Sequence, residues 1–370
     1  MDGRLIIRNE RIDTAEKLVS ENPATLEPVG EVSLASQALC GQAIRAAKEA
    51  FPLWRDLSPK KRGEIFKKAE SILARRAEEA GRLITLEKGS PYAESLAVEV
   101  FGSLQAVSYY AENQERLLQP HRTKHHVPLF YNKKSSFHYH PLGPTLIISP
   151  WNFPLLIPMS DVISALTSGN TVVLRPSTTT PLTALLLGEV FVEAGLPPGV
   201  LNVVVCRVPQ AEAMIIHPDI QTVMFTGSVG IGKRVMELCS RNLTNVTLEL
   251  GGKDPMVVLK DADLERAARG AVWASFMNCG QSCGAIERAY VAREIADKFT
   301  ARVVDLTREV KVGNPLDDGV GMGPMANSGQ LEVVMEHIAD ARARGARIFA
   351  GGNRIASLPG YFLEPTVLIS

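Results

Sequence analysis

The chain is poor in cysteine, in aromatic residues and in any surplus of one charge. Its five cysteines, Cys40, Cys206, Cys239, Cys279 and Cys283, are odd in number and mostly far apart. That spacing builds neither a disulfide scaffold nor paired Cys-x-x-Cys zinc knuckles. Forty Lys plus Arg balance forty Asp plus Glu, so there is no basic surplus to meet a nucleic-acid backbone. No apolar run approaches the ~20 residues of a membrane-spanning helix. The opening Met1-Asp2-Gly3-Arg4-Leu5-Ile6-Ile7-Arg8 lacks the apolar core of an export signal. These absences predict a cytoplasmic protein with no nucleic-acid or membrane partner. What is present is a globular composition, 45% apolar and 22% charged over 370 residues. At about 150 residues each, that length fits two or three domains.

Local patterns divide the chain. Ser58-Pro59 supplies a helix cap and a proline at the first helical position, and good helix formers continue over 60–76. Leu96, Val100, Leu104 and Val107 recur at helical spacing, predicting a helix over 91–117. Residues 127–131 and 135–140 read as two strands of a hairpin around Asn132-Lys133-Lys134. Strand patterns at 145–149, 171–174, 201–205 and 222–225 then alternate with helical ones at 182–194 and 232–241. Such alternation predicts a parallel, doubly wound α/β sheet. A further helix-and-strand unit follows Gly251-Gly252, and residues 361–368 read as extended.

Five groups of residues have chemical potential. Gly227-Ser228-Val229-Gly230-Ile231-Gly232-Lys233-Arg234 follows a strand and opens a helix, where backbone N–H groups hold phosphates. It departs from the Walker A pattern at Arg234 and from the dinucleotide fingerprint at Val235, so a ligand-free turn is an equal reading. Cys283 sits among small residues in Cys279-Gly280-Gln281-Ser282-Cys283-Gly284, as an approachable nucleophile or an inert thiol. Cys279, four residues earlier, leaves a disulfide or metal pair open. Glu249, flanked by Leu248 and Leu250 beside two glycines, is either a desolvated base or the partner of Lys253 or Arg241. Asn152, in Pro150-Trp151-Asn152-Phe153-Pro154 at the end of a strand, is an oxyanion donor or a turn residue. His121, His125, His126, His138 and His140 crowd the hairpin, as a metal site or a solvated, subunit-facing surface.

Taken together, these segments resemble the aldehyde dehydrogenase superfamily. The matching motifs are residues 150–155, Phe225-Thr226-Gly227-Ser228, residues 249–253 and Gly280-Gln281-Ser282-Cys283, in family order and spacing. The resemblance implies a Rossmann-like doubly wound cofactor domain (1–120 and 142–250), an oligomerisation hairpin (121–141) and an α/β catalytic domain (251–370). It implies oxidation of an aldehyde to a carboxylic acid with NAD or NADP by a homodimer or homotetramer, with no metal. Cys283 would be the nucleophile, Asn152 with the Cys283 N–H the oxyanion donors, and Glu249 the base for water. A coenzyme A-acylating relative, or a non-catalytic one, is the alternative. Cofactor contacts are expected from Ile148, Ser149, Pro150, Trp151, Arg175, Ser177, Thr178, Gly227, Ser228, Gly232 and Leu250.

Three departures from the family pattern matter. Arg175-Pro176-Ser177-Thr178 replaces the frequent Lys-Pro-x-Glu, removing a carboxylate that would repel a 2′-phosphate and leaning towards NADP; Arg207 is a candidate second cation. Asp161 stands where many members carry Lys. Ser160-Asp161 with Glu287-Arg288 is similar to a subgroup including some succinate-semialdehyde dehydrogenases. The family's later Glu-x-Phe-Gly-Pro segment and C-terminal pairing strand have no match in these 370 residues, so the chain is expected to be a fragment of a longer protein, inactive as cut.

Overall fold

A computed structural model describes residues 2–369. Its centre is a seven-stranded sheet in the spatial order Asn245–Leu250, Thr222–Gly227, Pro144–Ile148, Thr171–Arg175, Leu201–Val203, Leu5–Ile7, Glu10–Ile12. The first five run parallel, and the N-terminal pair is added antiparallel at one edge. All five residues of Pro144–Ile148 are buried, as both faces of a parallel sheet are covered by helices. The helices Leu156–Thr167, Pro181–Glu193, Val208–Ile215 and Val229–Ser240 make the crossovers. Among the described residues no helix is long and apolar enough to cross a membrane.

The expected strands and helices between 145 and 241 are present, within a few residues of their predicted ends. The helix predicted over 91–117 is interrupted: Tyr92–Glu94 leads into a π-helical stretch, Ser95–Val100, before Phe101–Leu117. The hairpin is a correction. Residues 127–131 form no strand; Pro128, which fixes φ and lacks an N–H, opens a short 3-10 turn, Pro128–Phe130. The pairing is instead His121–Thr123 with Ser135–Phe137, three residues each. Its histidines bond locally, His125 Nε2 with Ser135 Oγ at 3.1 Å and His138 Nε2 with Ser136 Oγ at 2.9 Å.

Two sheet helices have remote caps. Neither Leu155 nor Thr180 caps its helix with its own side chain. Glu99 Oε2, from the π-helical stretch, accepts from the N–H groups of Leu155 and Leu156, both at 3.0 Å. Glu87 accepts from the N–H groups of Leu182 and Thr183 at 2.9 and 2.8 Å. A carboxylate facing exposed N–H groups and the positive end of the helix dipole satisfies both. After residue 250, a two-stranded parallel sheet, Asp254–Val258 with Ile286–Val291, packs on Leu264–Phe276 and Arg293–Glu309 around Val258, Ala268, Phe299 and Leu306.

Candidate active site

The sheet reverses its winding between Pro144–Ile148 and Thr222–Gly227, and open α/β sheets place ligands outside the strand ends at such a point. Register brings the ends together: Ile148 lies beside Phe225 and Arg175, Glu249 beside Thr226, and Leu250 beside Gly227. They open onto a cavity of about 560 Å³. Of the sequence-predicted residues, Pro150, Trp151, Asn152, Gly227, Ser228, Glu249, Leu250 and Cys283 line it. Ile148, Ser149, Arg175, Ser177, Thr178 and Gly232 do not line it; they lie along the neighbouring strand ends and the first turn of Val229–Ser240.

The two thiols of the cysteine loop differ in surroundings. Cys279 packs its sulfur 3.3 Å from Met325 Sδ, and burial pushes its thiol up to about 12. Cys283 is exposed into the cavity. All five cysteines are free, so the disulfide reading of Cys279 with Cys283 fails. The loop is held by side chains that the sequence reading missed. Asn278, buried and in the left-handed region (φ 53°), donates Nδ2 to the carbonyls of Asn152 and Gln281 at 3.0 and 3.1 Å. Gln281 Oε1 accepts from the Ala326 N–H at 2.9 Å, and Glu94 accepts from the Asn278 N–H at 2.9 Å. Gly280 (φ 73°) continues the same left-handed turn, a conformation that a side chain would strain. Asn152 Nδ2 donates to Gln281 O at 3.0 Å, so this amide already touches the cysteine loop.

Glu249 is not tied to either proposed surface partner: Lys253 pairs with Glu287 and Arg241 with Glu237. It shares the cavity with Asp161, from the first turns of Leu156–Thr167. Burial first, and then the charge of Glu249, push Asp161 up to about 7. The sign of the linkage follows. The unfolded chain releases this proton near the ordinary 3.8 while the folded chain keeps it. The contribution of Asp161 to stability is therefore greatest at acid pH and is lost as pH rises towards 7. Asp161→Asn should have little effect on unfolding at about pH 4 and stabilise by a few kcal/mol at about pH 8. Denaturant titrations at both pH values check it, and an equal effect at the two counts against it.

The cofactor corner shows unmet polar groups. Ser149 Oγ, Arg175 Nε and Thr180 Oγ1 are buried without a hydrogen-bond partner. Arg175 turns Nη2 onto the Cys206 carbonyl at 2.8 Å. Ser228 caps Val229–Ser240 by accepting from the Ile231 N–H at 3.4 Å, and open space surrounds Gly230 beside that helix start. A Cβ on Gly232 would fall 2.6 Å from Leu250 Cδ2, so a side chain there would force the leucine at this strand end to shift. Unsatisfied donors and acceptors beside a helix N-terminus at a winding reversal fit a dinucleotide. Arg234 is spent on Glu212 and Glu237, which removes a Walker-type role, and Arg207 is paired with Glu16 on the surface.

The comparisons agree with this geometry. The profile of the Aldehyde dehydrogenase family matches residues 11–370. A protein named 1-pyrroline-5-carboxylate dehydrogenase from Bacillus cytotoxicus is 38% identical over 377 residues, covering 99% of this chain and 72% of the relative. An E. coli structure described as an NADP dependent enzyme superposes with a TM-score of 0.94 at 34% identity, covering 99% of this chain and 76% of the other. An aldehyde dehydrogenase from Bacillus cereus, solved with NAD+, superposes with a TM-score of 0.94 at 32% identity, covering 100% of this chain and 75% of the other. The chain belongs to the aldehyde dehydrogenase family and is, by that membership, an NAD(P)-dependent aldehyde dehydrogenase.

Proposed function

We propose that the cavity oxidises an aldehyde to a carboxylic acid through a covalent intermediate on Cys283. One observation carries this reading: of two neighbouring thiols, the one that opens into the cavity is the one that shares it with Asn152 and Glu249. Cys283 sulfur bonds to the aldehyde carbon, and the carbonyl electron pair moves onto oxygen. The Asn152 amide and the Cys283 N–H, which donates to no described residue, serve the resulting oxyanion. Loss of one such donor costs ~2.7–4 kcal/mol of barrier. When bound, the oxidised nicotinamide accepts the hydride that the carbon gives up. A thioester then remains on Cys283. Glu249 takes a proton from water as that water bonds to the carbonyl carbon; the carbon–sulfur bond breaks and the thiolate is restored.

If Glu249 activates this water, Glu249→Gln still forms the thioester. Rapid mixing should then show one equivalent of reduced cofactor in a burst, followed by turnover slowed about 10²–10⁴-fold. Steady turnover at the unmutated rate would sink the role. A coenzyme A thiol that replaces water and yields an acyl thioester product would instead support the acylating alternative.

The cofactor preference rests on Thr178. No carboxylate stands there to repel a 2′-phosphate, and Arg175, three residues earlier in the chain, keeps its buried Nε unpaired. NADP is expected to bind at least as well as NAD. Thr178→Glu should weaken NADP about tenfold relative to NAD, the scale of one charge-assisted contact. Fluorescence titration of both cofactors reads this, and an unchanged ratio in the variant overturns it. The hairpin exposes Leu129 (78%), Tyr131 (65%) and Phe137 (66%), which supports a subunit contact through this element.

A further inference from the structure

The two oxyanion donors sit on separate segments, Asn152 after the strand Pro144–Ile148 and Cys283 after the helix Leu264–Phe276. One amide joins these segments. Asn278 Nδ2 donates to the Asn152 carbonyl at 3.0 Å and to the Gln281 carbonyl at 3.1 Å, and Asn152 Nδ2 donates to that same Gln281 carbonyl at 3.0 Å. Asn278 is 2% exposed and heads three consecutive left-handed residues, Asn278 (φ 53°), Cys279 (φ 56°) and Gly280 (φ 73°). Residues with a side chain visit that region singly, so such a run persists only where its surroundings hold it.

Glu94 holds the first residue of that run. Its Oε2 accepts from the Asn278 N–H at 2.9 Å, and Lys88 is the cation that faces its carboxyl group. Glu94 leads into the π-helical stretch Ser95–Val100, which carries Glu99 near its end. Glu99 Oε2 holds the N–H groups of Leu155 and Leu156, and its Oε1 lies 2.6 Å from Lys88 Nζ. The Lys88 ammonium in turn lies 5.0 Å from the centre of the Phe153 ring, next to Asn152. On an α-helix, two residues five apart point about 140° away from each other. Hydrogen bonds from i to i+5 bring them nearly one above the other, so the π-helical stretch turns both carboxyl groups towards the site. One of them fastens the cysteine loop and the other the segment that follows Asn152.

We infer that Glu94 is a positioning residue for the oxyanion donors: through Asn278 it holds the left-handed turn that sets the cysteine loop against the segment carrying Asn152. Glu94 does not line the cavity, so its effect passes through the Asn278 backbone bond alone. The inference rests on the oxyanion role given above to Asn152 and the Cys283 N–H, and its test separates the two.

The test needs neither cofactor nor turnover. With p-nitrophenyl acetate, the Cys283 thiolate bonds to the ester carbonyl carbon and the electron pair moves onto oxygen. That oxyanion collapses as p-nitrophenolate leaves, and the acetyl group stays on sulfur. Iodoacetamide alkylates the same thiolate by displacing iodide and forms no oxyanion. Peptide mass spectrometry of the full chain gives both initial rates at Cys283, and their ratio cancels changes in exposure and in thiolate fraction. Asn152→Ala is expected to lower the acylation-to-alkylation ratio about 10²–10³-fold, the scale of one lost donor. Glu94→Ala should lower it about tenfold or more, as a small misplacement of reacting groups does. Glu94→Gln keeps an oxygen for the Asn278 N–H and should restore most of the ratio. In the Asn152→Ala background, Glu94→Ala should lower it by no more than about twofold, because residues that act as one unit are not additive. Equal falls in the two backgrounds would assign Glu94 to general support of the loop and overturn the inference. An unchanged ratio in Glu94→Ala, or Glu94→Gln as impaired as Glu94→Ala, overturns it too while leaving Asn152 its role. A ratio unaffected by Asn152→Ala, or no acylation of Cys283 in the unmutated chain, overturns the oxyanion reading and this inference together.

Discussion

Cys283→Ala is expected to lower aldehyde oxidation by about 10⁴-fold or more, because the covalent route is then closed and no other group nearby replaces the sulfur. The fold should not suffer, since this side chain is exposed into the cavity and fills no core. Cofactor binding should survive as well, because the Ser228 helix start and the Arg175 corner lie on other elements. The control is Cys279→Ala. That thiol is half-buried against Met325, so its loss leaves a small cavity at a cost of about 1 kcal/mol and leaves turnover largely in place. Iodoacetamide labelling of each variant, read beside the rate of cofactor reduction, separates the two thiols. Activity retained in Cys283→Ala would sink the assignment.

Lys88→Met is expected to cost about 3–5 kcal/mol of stability, the usual consequence of leaving a buried charge without its partner. Lys88 Nζ lies 2.6 Å from Glu99 Oε1, and the two side chains are 2% and 0% exposed. The effect should reach the cavity. The other oxygen of Glu99 holds the Leu155 and Leu156 N–H groups, and that helix start fixes the path from Asn152 to Asp161. Denaturant unfolding should show the lower midpoint, and the folded variant should show a raised KM or lowered kcat. Lys88→Met with Glu99→Gln should recover part of the loss, because the remaining amide oxygen still accepts from the helix start and no charge is left bare. A double variant as unstable as the single one would show that shape, rather than charge, sets the cost.

Much of this molecule is written locally. Short β-branched runs such as Thr171-Val172-Val173-Leu174 must be strands buried on both faces, and helical runs between them force parallel crossovers. Glycine at 227 and 232, with Ser228 between strand and helix, marks a helix start where anions bind. The hairpin misled for a local reason: residues 127–131 are an apolar and aromatic run of strand length, but Pro128 removes a donor and sets a turn, so pairing moves to His121–Thr123.

The sequence by itself determined the doubly wound sheet, the motifs at its strand ends and three residues whose types suit thiol, amide and base chemistry. These depend on residue type and near neighbours, which a linear pattern carries. Only the tertiary structure shows how the surroundings of the two neighbouring cysteines differ, because Cys279 packs half-buried against Met325, 46 residues away in sequence, while Cys283 is exposed. It alone showed that Glu87 and Glu99 cap helices 95 and 56 residues further on, that Asn278 and Gln281 fasten the cysteine loop, and that Asp161 shares a cavity with Glu249. The physical reason is common to all of them. Desolvation and electrostatic pairing depend on which groups the fold brings within a few ångströms, and residues distant along the chain meet only when the sheet and its helices have packed.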